Sequence, residues 1–268
     1  MEPGQDLETR LVYADYLQAQ DDPRGELIIL QHARMQASGT KRLEAAARAE
    51  NQLLHDLREQ LLEGIDLSRV APRWRLGFID SAVLSSEAEP RDLQNLLCAQ
   101  SGKFLRGLTL TINSQEDWQT FEGLIGAHTG LEDLRIHASA SELDIKTLPS
   151  SIRSLHIVAD SLASPLDLNR LERLELRLND LRSIPDLRTD YPELKFLWVQ
   201  TADTESPDFP AWLRRLVLPK LTDLTLSADA QIAADLCQSI VDAPWFANLR
   251  SLNLSGAGLG AEQARLLA

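Results

Sequence analysis

The sequence predicts an α/β protein in which an all-α N-terminal segment, residues 1–75, covers the first strand edge of a solenoid, residues 76–268. The solenoid is expected to have a parallel inner sheet and a mixed helical and extended outer face. Three observations predict this. Apolar residues recur at helical spacing as far as about residue 63; the period switches to that of a strand from residue 78; and the strand-like frame then returns about eight times.

Asp6 can cap a first helix in which Leu7, Leu11, Ala14 and Leu17 share one face, with Val12 and Tyr16 beside it. A breaker follows at once. In DDPRGELIILQHAR, Asp22 suits the N-cap and Pro23 the first helical position, where its missing N–H costs nothing, so a second helix is expected over Pro23–Gln36. A third is expected over Lys41–Glu63, with Leu43, Ala47, Leu53, Leu54, Leu57 and Leu61 as its apolar stripe and Gly64 in the left-handed C-terminal position.

The strand frame is LxxLxL, one apolar row pointing inward and the intervening residues outward. It begins at Ile79, Leu105, Leu131, Ile152, Leu171, Leu194, Leu221 and Leu249, at intervals of 26, 26, 21, 19, 23, 27 and 28 residues. That series defines about eight leucine-rich repeat units. LERLELRLNDL completes the LxxLxLxxNxL pattern with Asn179, which is expected to bond backbone groups in the turn leaving the strand; the last copy has Ala257 where asparagine is usual. The longer intervals have room for outer helices over Gln115–His128, Pro210–Leu216 and Ile232–Val241. The shorter ones have room only for turns or extended chain. LPSSIRSLHI and SIPDL resemble the tighter leucine-rich repeats of some bacterial effectors, with proline holding the outer side extended. The chain runs out at GAEQARLLA, in what reads as the helix of an unfinished repeat. Either Ala268 is a processing boundary or that helix seals the stack.

Residues 8–31, ETRLVYADYLQAQDDPRGELIILQ, resemble the bacterial repeat-companion domain. The residues that match are Arg10 through Asp15, Leu17, Asp22 through Glu26, and Gln31. WRLGFIDSAVLS, from Trp74, looks like the segment that leads from that domain into the repeats, and SGKFLRGLTL, from Ser101, like the first repeat that follows. The resemblance implies a helical domain whose place is beside repeats and with which no catalytic activity is associated. It names an architecture and no reaction.

Composition narrows the function. With 44% hydrophobic and 25% charged residues the chain should fold, and no apolar run approaches the roughly 20 residues of a membrane helix. The start lacks the basic-then-apolar order of a secretory signal, so a cytoplasmic location with no membrane partner is expected. The net charge of −13 arises mainly after Arg75, because residues 1–75 hold 10 Lys/Arg against 13 Asp/Glu. Nucleic acid is not an expected partner, since phosphate binding draws on clustered cations. Cys98 and Cys237 lie far apart in apolar, helix-like settings and are expected as buried, reduced thiols.

Chemistry-bearing motifs are missing. The histidines at 32, 55, 128, 137 and 156 show no metal-ligand spacing, and no GxGxxG, GxxxxGK or GxSxG occurs, so neither metal nor cofactor nor small-molecule substrate is expected. Asp15 and Glu26 could be enlisted as an acid/base pair, but Asp15 and Arg24 flank the turn between two helices, where an ion pair or caps would fix the angle.

The outward positions of the middle frames are Asp133, Arg135 and His137; Ser154, His156 and Val158; Arg173, Glu175 and Arg177; and Phe196, Trp198 and Gln200. Arg135, His137, His156, Arg173, Glu175, Arg177, Phe196, Trp198 and Gln200 would form a basic, histidine-containing strip beside an exposed aromatic pair. Arginine and tryptophan dominate binding hot spots. The expected function is a non-catalytic protein-binding scaffold whose unidentified protein partner docks an acidic or aromatic segment there. The competing reading of the strip is a solvated sheet with Glu and Arg paired across strands. The competing readings of the function are a targeting or regulatory subunit of an effector or defence complex, and an effector-type ubiquitin ligase, for whose separate catalytic domain the chain leaves no room.

Overall fold

Each of the eight LxxLxL frames carries a β-strand in a computed structural model of the chain, and seven of the eight strands start at the third residue of their frame. The structure describes residues 3–62, 64–139, 142–163, 166, 169–179, 190–201, 208–228, 234–254 and 260–267. The protein is mixed α/β, with one open nine-stranded sheet in sequential strand order. Its contacts divide it into two compact units, Met1–Leu108 and Thr109–Ala268.

The first unit begins with α1 (Pro3–Gln18), α2 (Pro23–Gln36), α3 (Thr40–Asp56) and the short α4 (Arg58–Leu62). The second helix lies where its cap requires: the Asp22 carboxylate accepts the Arg24 N–H at 2.9 Å and Pro23 opens the helix. Asp6, by contrast, lies inside α1, which already starts at Pro3. Where α1 meets α2 the chain needs Gly25, since a Cβ there would sit 2.7 Å from Gln18 Cγ and 2.8 Å from the Ala14 carbonyl. The expected single third helix is broken at Leu57 (φ −107°, ψ 17°). Leu61 and Leu62, beyond the break on α4, are both buried. Leu43, the first residue of the expected stripe, is 47% exposed, whereas Glu50 is buried. Gly64 does take the left-handed conformation, φ +84°.

Residues 70–75, read from sequence as part of the all-α segment, form β1 (Val70–Arg75), antiparallel to β2 (Phe78–Leu84). Two positive-φ residues, Leu76 and Gly77, make the tight reversal. The outer edge of β2 is therefore covered by a strand rather than by helices. Buried Gln31 locks the reversal to the helices: its Oε1 accepts the Gly77 N–H at 2.9 Å and its Nε2 donates to Glu50 at 2.8 Å, while Arg34 pairs with Glu50 at 2.6 Å. Phe78 packs with Ala14, Leu17, Ile28 and Leu76. Arg10 lies over the Phe78 and Phe104 rings at 5.7 and 4.8 Å. Of the ion pair or caps expected at this turn, the cap is present: Asp22 caps α2 and also pairs with the Arg24 side chain, while Asp15 and Glu26 are exposed. The unit continues through α5 (Pro90–Cys98) and a 3-10 turn, Gln100–Gly102. Cys98 is exposed, contrary to expectation, and Cys237 is buried.

β3 (Gly107–Ile112) spans the division and α6 (Gln115–Gly126) follows it. Then come β4 (Asp133–Ala138), β5 (Ser154–Ala159), β6 (Arg173–Leu178), β7 (Phe196–Thr201), α7 (Asp208–Arg215), β8 (Asp223–Ala228), α8 (Ala234–Val241), β9 (Ser251–Asn253) and α9 (Ala261–Leu266). From β4 to β9 all pairs are parallel and the frames align in register, Leu134 to Leu155, Leu174, Leu197, Leu224 and Leu252. The inward leucine and isoleucine rows of β4 to β8 are buried.

From the Leu131 frame onward, the second residue of each frame carries the register. The Glu132 carbonyl accepts the N–H groups of Arg153 and Ser154 at 2.8 and 3.0 Å, and the same two-donor arrangement returns at the carbonyls of Arg153, Glu172, Lys195 and Thr222. Helices α6, α7 and α8 fill the 26-, 27- and 28-residue intervals, as interval length requires, while the 21- and 19-residue intervals hold no helix among the described residues. SIPDL and Ala257 lie outside the described residues. Asn179 is exposed and its Nδ2 donates to Asp160 Oδ1 at 2.6 Å. It thereby bonds the equivalent position of the preceding frame; the turn leaving β6 lies outside the described residues.

Candidate functional site: the open face of β4 to β8

Strand alternation decides which side chains reach the open face: with one row buried beneath the sheet, the third, fifth and seventh frame residues must stand above it. Parallel register then sets the rows side by side. The fifth residues, Arg135, His156, Glu175, Trp198 and Thr225, are successive partners across β4 to β8, and the seventh, His137, Val158, Arg177, Gln200 and Ser227, form the next row.

Glu175 organises the centre. One of its oxygens is 2.6 Å from His156 Nδ1 and the other accepts from Arg173 Nε at 2.5 Å. Burial pushes the Glu175 carboxyl up, but the hydrogen bonds from His156 and Arg173 outweigh it and hold the group below the usual carboxylate range. The Arg173 guanidinium, anchored at Nε, lies over Phe196 with Cζ 3.8 Å from the ring centroid. His156 stacks on His137 at 5.6 Å and on Trp198 at 6.0 Å, so three rings from β4, β5 and β7 form one row of planar groups. Burial first, then the charges of His156 and Arg135, hold the His137 imidazole below its ordinary pKa.

Between these groups is a hollow of about 340 Å3 lined by His156, Arg173, Glu175, Phe196, Trp198 and Thr225. Five of the nine residues read from sequence as the binding strip line it. Arg135, on β4, is paired along its own strand with Asp133 at 3.4 Å. Arg177 is exposed and has no ion-pair partner among the described residues. His137 enters only through its stack on His156, and Gln200 lies in the seventh-residue row beside Arg177. Thr225 belongs to the lining as well and was legible in principle, as the fifth residue of the Leu221 frame. The strip is less uniformly basic than the residue types suggest, because Glu175 is enclosed by His156 and Arg173.

What the arrangement can do chemically follows from the groups left over. Arg173 uses Nε toward Glu175 and, among the described residues, keeps its terminal nitrogens for an acceptor. Arg177 stands two residues along the same strand and face. Among the described residues no group of three or more His, Cys, Asp or Glu could hold a metal ion, and no helix is long and apolar enough to cross a membrane. Comparison with protein-family models and with curated proteins returned no match.

Proposed function

We propose that the protein is a leucine-rich repeat recognition module without chemistry of its own, and that residues 1–75 are its repeat-companion domain. On this reading it binds an acidic segment of a protein partner on the open face of β4 to β8. The observation that carries the reading is the preorganisation of Arg173. Its guanidinium is held by Glu175 at 2.5 Å and by the Phe196 ring at 3.8 Å, yet it remains 49% exposed at the edge of a hollow large enough for a side chain. A donor already fixed in place loses little entropy when a carboxylate arrives, and arginine and tryptophan are the residues on which interfaces concentrate their energy. Arg177 adds a cation unpaired among the described residues, and Trp198 offers a half-buried ring for an apolar or aromatic neighbour of the acid.

The test is capture from the native cell by wild type beside Arg177→Glu and Trp198→Ala variants, followed by titration of the purified captured protein. A hot-spot role predicts an affinity loss of about 30-fold or more for either variant, with unchanged circular dichroism. Equal affinity for all three proteins removes the open face as the site.

A further inference from the structure

A second hollow, of about 240 Å3, lies wholly within the N-terminal unit, and nothing in the function proposed above uses it. Leu54, Leu61, Leu62, Leu67, Pro72 and Trp74 make its apolar lining, and among the described lining residues the charged or titratable ones are His55 and Arg58. Two local irregularities build it. The break at Leu57 brings the end of α3 and the start of α4 around one opening. The register shift between Arg73 and Trp74 re-aims the β1 side chain, as bulges do.

Leu62 is buried, Leu54, Leu67 and Trp74 are half-buried, and His55 and Arg58 are exposed, so the apolar groups lie deep and the basic groups at the mouth. Neither His55 nor Arg58 has an ion-pair or hydrogen-bond partner among the described residues. Asp66, whose carboxylate feels the charge of Arg58, is outside the lining and is occupied by the Ser68 N–H and hydroxyl at 2.9 and 2.8 Å. On a chain of net charge −13, an apolar hollow whose described charged lining residues are both basic is complementary to an apolar side chain with an anion beside it.

We propose that this hollow is a separate docking site for a peptide segment of a protein partner that places one large apolar side chain next to a carboxylate. The apolar side chain enters against Leu54, Leu62, Leu67 and Trp74, and the carboxylate meets Arg58 and His55 at the mouth. The partner's carboxylate supplies what Asp66, turned to Ser68, does not.

The experiment is a two-dimensional NMR titration of the full chain with acetyl-Asp-Phe-amide, read at the Trp74 indole N–H and the leucine methyls of the hollow. Saturable shifts are expected there, with a dissociation constant on the order of 1 mM for so small a probe. Acetyl-Asn-Phe-amide, which keeps the shape and removes the charge, should bind about threefold more weakly, and that difference should shrink in high salt. Arg58→Gln, a change at an exposed position, should make the two peptides bind alike. Trp198→Ala should leave the titration unchanged, so the outcome is independent of what happens on the open face. The proposal is overturned if Trp74 shows no saturable shift, if the acid and amide peptides bind wild type equally, or if Trp198→Ala abolishes the response.

Discussion

Replacing Gln31 by leucine should unlock the hairpin reversal from the helices while keeping the volume nearly constant. The wild-type carboxamide is 3% exposed and satisfies two groups at once, the Gly77 N–H at 2.9 Å and a Glu50 oxygen at 2.8 Å. Leucine can satisfy neither, and a buried polar group left without its partner costs about 1–3 kcal/mol. Arg34, 2.6 Å from the other Glu50 oxygen, keeps that carboxylate partly compensated, so its share falls at the lower end. Leucine also recovers some apolar burial, which leaves a net loss of about 2–3 kcal/mol. In urea that corresponds to a midpoint lowered by roughly 1.5 M for a unit of this size. Native-state hydrogen exchange should show the loss first at the Gly77 amide, with strands β5 to β7 unaffected. A midpoint shift under about 0.3 M with Gly77 still protected would refute the relay from α3 through α2 to the hairpin.

Gly25→Ala should destabilise the first unit by about 1–3 kcal/mol, because its Cβ would press on the Ala14 carbonyl at 2.8 Å; a thermal melt within error of wild type would show that α1 and α2 can separate freely. Trp212 is buried with its indole nitrogen unpaired among the described residues, so Trp212→Phe should change stability by under about 1.5 kcal/mol whereas Trp212→Ala should cost about 3–5 kcal/mol, both read by urea denaturation. Glu172 bridges Arg153 at 2.8 Å and Lys195 at 2.6 Å on an exposed edge, and Glu172→Gln should lose no more than about 1 kcal/mol, less still in salt. Two groups on the open face give stability a pH dependence of the same sign. His137 binds its proton less readily folded than at its ordinary value of 6.5, so its contribution is complete above that value and is lost as pH falls from there through the lowered one. Glu175 is held below its ordinary 4.5, so its contribution is present above that value and is lost as pH drops through the lowered one. Melting temperature measured from pH 8 to 3 should therefore fall on the acid side, and His137→Gln should flatten the limb near neutrality and Glu175→Gln the limb below; unchanged slopes in both variants would contradict these assignments.

The strands were legible because their signal is redundant. Eight copies of one apolar frame constrain one another, so that even the weak Ile79 and Leu249 copies lie at strands. The second helix was legible for a local reason, the Asp22–Pro23 pair at its start. What failed lacks redundancy. VAPRWR alternates buried and exposed residues over only six positions, too short to be told from the end of a helical segment without its partner β2. Asp6 has the chemistry of a cap, but α1 had already begun three residues earlier. On the open face, register made the neighbours of His156 and Trp198 readable, while the choice of Glu175 by Arg173 and His156 depends on rotamers that no spacing encodes. The mouth formed by His55 and Arg58 depends on a helix break that no glycine or proline announces.

The paired N–H donation to the second-residue carbonyl is a main-chain device, independent of side-chain identity and of the length of chain that returns to it. Between successive strands the loop is 21, 19, 23, 27 or 28 residues from frame to frame, and the two-donor contact is rebuilt each time. Sheet and connector are thereby separable under mutation: the outer segment can lengthen, shorten or trade a helix for extended chain while the row of exposed side chains stays in alignment. A lineage, or an engineer, can thus lengthen or rebuild the back of this molecule without moving the residues on its face.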